Sequence, residues 1–230
     1  MDYSKIYKVV SESVVNVVQL DSDTNFHSMA SGVIIDDGSK VLTCSHCVEE
    51  NFKNGILVDK SKNLVKIGNV IFKDEKRDIA IIDFGRVIGV SARITTSSAL
   101  EIGNEIFTIG FPYSLNSAKT LTTGNIAAFE NGLIKIDASV NNGNSGGPLF
   151  NTNGDVVGLV NLKLGGLSDY LEGVEQAQTN IRIRMGGIDA IETIQQMLRE
   201  MKRNINLGIG YAVPTDLIAN ISPLIKSIIK

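Results

Sequence analysis

Short apolar segments rich in valine and isoleucine recur along the chain, and glycine, asparagine and aspartate separate them. This pattern predicts short strands, and breaks such as "DDGSK", "ENG" and "NTNGD" are turn signals. The first predicted set of strands is Val14–Leu20, Ala30–Ile35, Val41–Thr43, Ile56–Val58, Val65–Phe72 and Ile79–Phe84. The second set is Glu105–Ile109, Leu121–Phe129, Leu133–Ile136, Pro148–Phe150, Val156–Val160 and Ile209–Val213. The interval at Ser91–Ala99 separates the sets, which favours an all-β chain with two packed halves.

Two segments have a helical pattern instead. In Ile188–Arg203, apolar residues recur every three or four positions, which predicts a helix with one apolar face. The C-terminal stretch "TDLIANISPLIKSIIK" also predicts helix. Thr215 or Asp216 is the expected N-cap, and Pro223 limits a continuous helix.

Composition restricts the classes of partner. The chain has 230 residues, of which 43% are hydrophobic and 20% charged, so it can bury a core without disulfides or metal ions. A net charge of −3 without long runs of one sign argues against nucleic-acid binding. No apolar run approaches about 18 residues, which argues against a membrane span.

The chain start and the cysteine content predict a cytoplasmic location. "MDYSKIYKVVSESVVNVVQL" has interrupted apolar residues and no small-residue cleavage site, so it is not typical of a signal peptide. Two cysteines, Cys44 and Cys47, do not make a disulfide framework. A secreted protein whose export signal has been removed would show the same features.

The most distinctive stretch is "NNGNSGGPLF", which surrounds Ser145 with small residues. Taken alone, it is most simply a glycine-rich turn. A serine becomes nucleophilic when a base accepts its proton, and histidine is the usual base. The chain has two histidines, His27 and His46. His46 directly follows an apolar strand, whereas His27 lies in a polar stretch that we interpret as an exposed connection, so His46 is the candidate base.

A catalytic histidine needs a carboxylate that holds its tautomer. "KRDIAIIDFG" offers Asp78 and Asp83. We favour Asp78, because it lies at the start of the strand, where its carboxylate can point toward an imidazole. The backbone N–H groups of Gly143 and Ser145 are the candidate oxyanion hole, since glycines allow amides to converge on one point.

These segments resemble the signatures of chymotrypsin-like serine proteases, in the same chain order. They are "LTCSHCV", "RDIAIIDF" and "GNSGGPLFNTNGDVVGL". The similarity is closest to the HtrA/Deg branch, through "SGVIID", "EIGNEIFTIGFPYSL", "LTTGNIAAF" and "GIGYAVP", and it covers about 13–162 and 207–220. It implies that His46 is the general acid/base, Asp78 the orienting carboxylate and Ser145 the nucleophile, with Gly143 and Ser145 as oxyanion donors.

The resemblance also implies the fold and the domain organisation. We expect one peptidase domain over 1–230, built of two six-stranded antiparallel β-barrels with the active site between them. The N-terminal barrel would span about 1–95 and the C-terminal barrel about 96–230. An insertion at about 163–206 and a C-terminal helix would be additions to it.

In this family three segments form the primary specificity pocket, and here they correspond to Asp137–Asn142, Val157–Leu162 and Gly208–Val213. Ser139 matches the position at the pocket floor and carries no charge. The expectation is therefore a preference for small or medium apolar residues before the cut bond. The candidate substrate-binding residues are Ser139, Asn142, Leu159, Val160, Asn161 and Gly210.

Two features depart from the resemblance. HtrA proteins usually continue into a PDZ domain, and because this sequence ends at Lys230 we expect the domain to act without one. The segment 163–206 is longer than the usual loop beside the pocket. It is either a surface element that packs on the barrel or a lid that gates the cleft.

The spacing of Cys44 and Cys47 is that of a C-x-x-C motif, which would suit redox or zinc chemistry. No second ligand pair and no βαβ pattern accompany it, so we interpret both as buried free thiols. No metal or organic cofactor is implied.

The expected function is therefore a serine endopeptidase that acts on polypeptides through an acyl-enzyme. The alternative is a protease-like peptide-binding module that is silent or that an activating or regulatory protein partner switches on. Neither interpretation involves nucleic acid or a membrane, and the oligomeric state is left undecided.

Overall fold

The computed structural model describes residues 2–21, 26–59, 61, 64–112, 118–161, 184–185, 188–189, 193 and 209–229. Within these residues the chain is mainly β, as predicted, with two separate sets of antiparallel strands. None of the helices in these ranges combines the length and the apolar composition that a bilayer crossing requires.

The first set forms a seven-stranded sheet. Its strands are β1 (Val14–Leu20), β2 (Phe26–Ile35), β3 (Lys40–Thr43), β4 (Lys53–Asp59), β5 (Leu64–Ile67), β6 (Asn69–Asp74) and β7 (Ile79–Asp83). They are ordered β5-β4-β1-β2-β3-β7-β6.

The two edges of this sheet are connected through one residue, Gly68, which joins β5 to β6. The sheet therefore curls until its edges meet. A Cβ atom at Gly68 would lie 2.6 Å from Ile82 Cγ2, so the bend has no room for a side chain. If β5 and β6 are counted as one bent strand, the sheet has six strands, so it corresponds to the predicted six-stranded barrel.

The second set forms a closed barrel of six strands, ordered β10-β15-β12-β11-β8-β9. They are β8 (Glu105–Gly110), β9 (Thr120–Glu130), β10 (Leu133–Ile136), β11 (Pro148–Asn151), β12 (Val156–Val160) and β15 (Gly210–Pro214). This confirms the predicted all-β double-barrel class.

The core is continuous between the two sets of strands. A single buried cluster contains Val33 and Ile81 from the first sheet together with Phe107 and Phe150 from the second barrel. Phe107 and Phe150 stack with their ring centres 4.9 Å apart. Since both sheets bury side chains in this shared cluster, their relative position is defined by packing.

Three α-helices have their full bounds within the described residues. Helix α1 (Tyr3–Val10), which was not predicted, is capped by Asp2 and places Tyr3 edge-on against Phe107. The predicted C-terminal helical stretch is confirmed as α2 (Thr215–Ile221) and α3 (Pro223–Ile228), which are interrupted before Pro223.

The N-cap prediction for this stretch is wrong. Neither Thr215 nor Asp216 caps α2, because Pro214 occupies the N-cap position and no side chain makes a cap hydrogen bond. Instead, Thr215 Oγ1 donates to the carbonyl of Thr95, and the Asp216 carboxylate accepts from Ser97 Oγ.

The predicted helix Ile188–Arg203 begins differently from expectation. Its first two residues form β14 (Ile188–Asp189), which pairs antiparallel with β13 (Arg184–Met185). Most of the remaining helix and of the insertion 163–206 lies outside the described residues, although Thr193 has helical backbone.

Candidate active site

His46 and Asp78 meet because β3 and β7 are neighbours. In this antiparallel pair Thr43 lies opposite Ala80, so the end of β3 is beside the start of β7. The chain leaves β3 through a 3-10 turn, Ser45–Cys47, which carries His46. Asp78 directly precedes β7, and its Oδ2 lies 2.5 Å from His46 Nδ1.

Three further donors hold the Asp78 carboxylate. Oδ1 accepts from Ser45 Oγ at 2.7 Å and from the backbone N–H of His46 at 2.8 Å. Oδ2 also accepts from Asn161 Nδ2 at 2.8 Å. Asp78 is only 4% exposed, and burial by itself raises the pKa of its carboxyl. The hydrogen bonds from His46 and Ser45 outweigh burial and hold this pKa well below the ordinary value.

The same contacts favour a proton on His46. Burial alone lowers the pKa of the imidazole, but the hydrogen bond and charge of Asp78 and the contact with Cys47 raise it to about 10. The resting imidazole is therefore more basic than an ordinary histidine, whose pKa is 6.5. The side chain remains 28% exposed, which leaves part of the ring open to solvent.

The loop between β10 and β11 carries Ser145 in a shape that depends on glycine. Gly143 and Gly146 have φ values of 96° and 80°, a left-handed region that disfavours other residues. A Cβ atom at Gly146 would lie 2.2 Å from Thr43 Oγ1 and 2.3 Å from the carbonyl oxygen of Ser31. The turn can therefore approach the first sheet only with glycine here.

Ser31, in β2, attaches this loop to the first sheet. Its N–H donates to the carbonyl of Ser145 at 2.9 Å. Its Oγ donates to the carbonyl of Gly143 at 2.7 Å and accepts from the N–H of Phe111 at 2.9 Å. The Gly143–Asn144 and Ser145–Gly146 peptide groups are thereby fixed, and both belong to the candidate oxyanion loop.

The structure brings the three predicted catalytic residues into one region. Cys47, the neighbour of His46, places its Sγ 3.9 Å from the carbonyl oxygen of Ser145. His46 in turn contacts Asp78 directly. Ser145 is 6% exposed. No acceptor for the N–H of Gly143 is found among the described residues.

The two rejected alternatives lie elsewhere. His27 is exposed and stacks on Phe52, with ring centres 4.1 Å apart. Its predicted exposure is confirmed, but it belongs to β2 and not to a connection, so that part of the interpretation was wrong. Asp83 lies at the other end of β7, where it accepts from the N–H of Gly85.

The candidate substrate-binding residues occupy two kinds of environment. Ser139 and Asn142 are exposed beside the serine loop. The other four, Leu159, Val160, Asn161 and Gly210, are buried. A Cβ atom at Gly210 would lie 2.5 Å from Val140 Cγ2, and the side chain of Asn161 is directed to Asp78.

Sequence reasoning missed two polar residues that organise the site, Ser31 and Ser45. Ser45 stands inside the motif "CSHC", and Ser31 opens "SGVIID". The sequence feature that could have identified them is a small hydroxyl residue within an apolar strand or directly beside the candidate base. That signal indicates a buried hydrogen bond but does not identify the partner, which only the fold supplies.

Both cysteines are free and buried, as predicted. Cys44 is fully buried and Cys47 is 5% exposed. The two sulfur atoms and a ring nitrogen of His46 all lie within 4.8 Å of one another. The thiols are thus neighbours of the candidate base and not isolated core residues.

Residues 30–159, more than half of the chain, match the family model of the trypsin-like peptidase domain. The chain belongs to this family. The matched range of the trypsin-like domain contains His46, Asp78 and Ser145 together with the strands that position them.

The relatives of this trypsin-like domain include HtrA and DegP proteins. It is 31% identical over 86% of its length to a probable periplasmic DegP-like serine endoprotease of Buchnera aphidicola, covering 36% of that protein. It is 29% identical over 86% of its length to periplasmic serine endoprotease DegP of Escherichia coli, covering 35% of it. Serine protease HTRA1 of Xenopus laevis is 33% identical over 58% of the chain and 31% of that relative. The chain thus spans about a third of the length of these relatives.

The predicted cytoplasmic location is contradicted by these comparisons. Several relatives are named as periplasmic proteins, including those of Buchnera aphidicola and Escherichia coli. The prediction rested on the apolar pattern of residues 1–20 and on the lack of a disulfide framework. A double-barrel core of this size is stabilised by burial and needs no disulfide in either compartment, so those features carry little information on location.

Proposed function

We propose that this trypsin-like domain is a serine endopeptidase that hydrolyses polypeptides through an acyl-enzyme. The observation that carries the proposal is the hydrogen-bonded pair of His46 and Asp78 beside the glycine-rich loop of Ser145. Base, carboxylate and hydroxyl are the groups that peptide hydrolysis by a serine requires.

In the proposed mechanism Ser145 Oγ attacks the peptide carbonyl while His46 Nε2 accepts its proton. Asp78 keeps the proton on Nδ1 and stabilises the imidazolium that forms. The N–H groups of Gly143 and Ser145 donate to the oxyanion of the tetrahedral intermediate, and each such donor contributes roughly 3 kcal/mol of barrier reduction. His46 then protonates the leaving amine, and water hydrolyses the acyl-enzyme by the reverse sequence of proton transfers.

We also propose that the substrate residue before the cut bond is small or medium and apolar. Exposed Ser139 and Asn142 lie beside the serine loop and carry no charge that could pair with arginine or lysine. Hydrolysis profiles on a peptide library should show valine, alanine, leucine or isoleucine preferred. Comparable cleavage after arginine would refute this preference.

Labelling with a fluorophosphonate probe, followed by an assay on unfolded casein, tests the proposed activity. The wild-type chain should incorporate the probe and degrade casein, and Ser145→Ala should do neither while keeping the β-rich circular dichroism spectrum. A matched control is Ser98→Ala, which changes an exposed serine outside the proposed site and should still be labelled. Absence of labelling in the wild type would favour the peptide-binding alternative.

A further inference from the structure

The two cysteines are arranged so that they can join to each other. The backbone N–H of Cys47 donates to the carbonyl of Cys44 at 3.1 Å, which closes a turn. Such a turn keeps its end Cα atoms within roughly 7 Å, and a disulfide needs roughly 4.4–6.8 Å. The sulfur atoms already lie within 4.8 Å of each other. Side-chain rotation and a small backbone adjustment are therefore enough to form the bond.

Both sulfurs also contact the segments that carry the proposed nucleophile. Cys47 Sγ donates to the carbonyl of Ser145 at 3.9 Å, and Cys44 Sγ donates to the carbonyl of Val160 at 3.4 Å. The Val160 carbonyl also accepts from the N–H of Gly146 at 2.9 Å. Any change at the sulfurs is thus transmitted to the peptide group between Ser145 and Gly146, directly after the serine.

The two thiols differ in reactivity. The hydrogen bond from Cys44 and the contact with His46 lower the pKa of Cys47 to about 6, against the effect of burial. Burial raises the pKa of the Cys44 thiol. Cys47 is 5% exposed beside the partly exposed His46, and Cys44 is fully buried. A small oxidant therefore reaches Cys47 first, and Cys47 presents the more nucleophilic sulfur.

We propose that Cys44 and Cys47 form a reversible oxidation site, which reacts with a small peroxide to give an internal disulfide that reduces the activity of the neighbouring serine. Cys47 sulfur attacks one peroxide oxygen, the O–O bond breaks, and the released hydroxide takes up the thiol proton as water. The Cys47 sulfenic acid then loses its oxygen as a second water when Cys44 sulfur attacks. Two thiols lose two electrons in total, and the peroxide gains them. The regulatory part rests on the proposed peptidase function.

Disulfide formation disturbs the site for a geometric reason. The S–S bond is about 2.05 Å long, so the sulfurs must leave their present positions. The Cys47 sulfur then moves relative to the Ser145 carbonyl, and Cys44 no longer has an S–H that can donate to the carbonyl of Val160. Because displacements of about 1 Å can cost a catalyst about 100-fold, we expect at least about a tenfold loss of kcat/KM.

Limited hydrogen peroxide on the reduced full chain, with chelator present, tests the proposal. Thiols are counted by alkylation after unfolding, intact mass is measured, and hydrolysis of a chromogenic peptide is followed. In the wild type, oxidation should remove both free thiols, lower the intact mass by two hydrogens and reduce peptide turnover. Dithiothreitol should restore the thiols, the mass and the turnover. Cys44→Ala should gain oxygen at Cys47 instead, since it has no resolving thiol.

Two results would overturn the inference. One is a wild-type chain that keeps both thiols at peroxide concentrations that oxidise Cys47 in Cys44→Ala. The other is a disulfide that forms without changing turnover. Mass and thiol counts do not depend on proteolysis, so a reduced chain that fails to cleave any peptide would count against the peptidase function and not against the disulfide.

Discussion

Asn161 of the second barrel donates a hydrogen bond of 2.8 Å to Asp78 of the first sheet, and both side chains are buried. Asn161 directly follows β12, and Asp78 directly precedes β7. The carboxylate proposed to orient His46 is therefore held from both halves of the fold. Since a buried carboxylate is costly without partners, this bond joins the packing of the two halves to the geometry of the site.

Asp78→Asn should remove most of the activity while leaving the fold intact. Asp78 has a φ of 57°, and asparagine tolerates this left-handed region. The new amide can still accept from Ser45 and from the His46 N–H through its oxygen, but its NH2 group would face His46 Nδ1 and Asn161 Nδ2. The imidazole would then take the wrong tautomer, and we expect kcat to fall about 10,000-fold.

Steady-state kinetics on a chromogenic peptide measures this effect, and Asp83→Asn is the matched control. Asp83 lies at the opposite end of the same strand, so its replacement should leave kcat within about twofold of the wild type, in keeping with an ordinary surface substitution. A comparable loss in both variants would contradict the assignment of Asp78.

Ser45→Ala should shift the pH dependence of catalysis. Ser45 Oγ donates to Asp78 Oδ1 at 2.7 Å, and without it the carboxylate charge acts more strongly on His46. The pKa of His46 should rise, so the pH midpoint of kcat/KM should move to higher pH. Stability should also fall by about 1.5–3 kcal/mol, the range for hydrogen bonds to charged groups.

The control for Ser45→Ala is Ser97→Ala, which removes another buried hydroxyl that donates to a carboxylate, Asp216 Oδ2, at 2.8 Å. It should lower stability in urea denaturation without moving the pH midpoint. If both variants shift the midpoint equally, the Ser45 bond has no specific effect on His46.

Activity of the wild type should rise with pH through a midpoint above 6.5. The neutral form of His46 is the base, and its folded pKa is raised, so the active fraction grows only as pH rises through that higher value.

Cys47→Ala removes one of the groups that raise the pKa of His46 and should move the midpoint toward 6.5. Profiles of kcat/KM between pH 5 and 10 measure both. A wild-type midpoint at or below pH 6.5 would contradict the raised pKa of His46.

Gly146→Ala should unfold the protein or destabilise it by more than about 3 kcal/mol. The new methyl would overlap Thr43 Oγ1 and the Ser31 carbonyl, and φ is 80°. Gly103→Ala is the control, since φ is 91° there but no atom lies within 4 Å of the added Cβ. Its cost should be only the backbone strain, about 1–2 kcal/mol, in urea denaturation. Equal costs for both variants would show that the close approach of the loop is unimportant.

Most of the local structure could be predicted from the chain alone. Strands β1, β10 and β12 were predicted with the bounds that the structure has, because their apolar residues lie between clear turn signals. Helix α1 was missed, since eight residues make only about two turns, which is too short for a helical period to stand out. The start of the predicted helix at Ile188 is a strand, because a pairing partner at Arg184–Met185 can override local preference.

The order and spacing of residue types by themselves determined the fold class, the family resemblance and the choice of His46, Asp78 and Ser145 as candidates. These properties are local, since each depends on a few neighbouring residues and their periodicity. Only the tertiary structure decided that Ser31 supports the loop of Ser145 and that Asn161 binds Asp78. Hydrogen bonds between residues 83 or more positions apart depend on how the two halves pack, and no local pattern of residue types encodes that geometry.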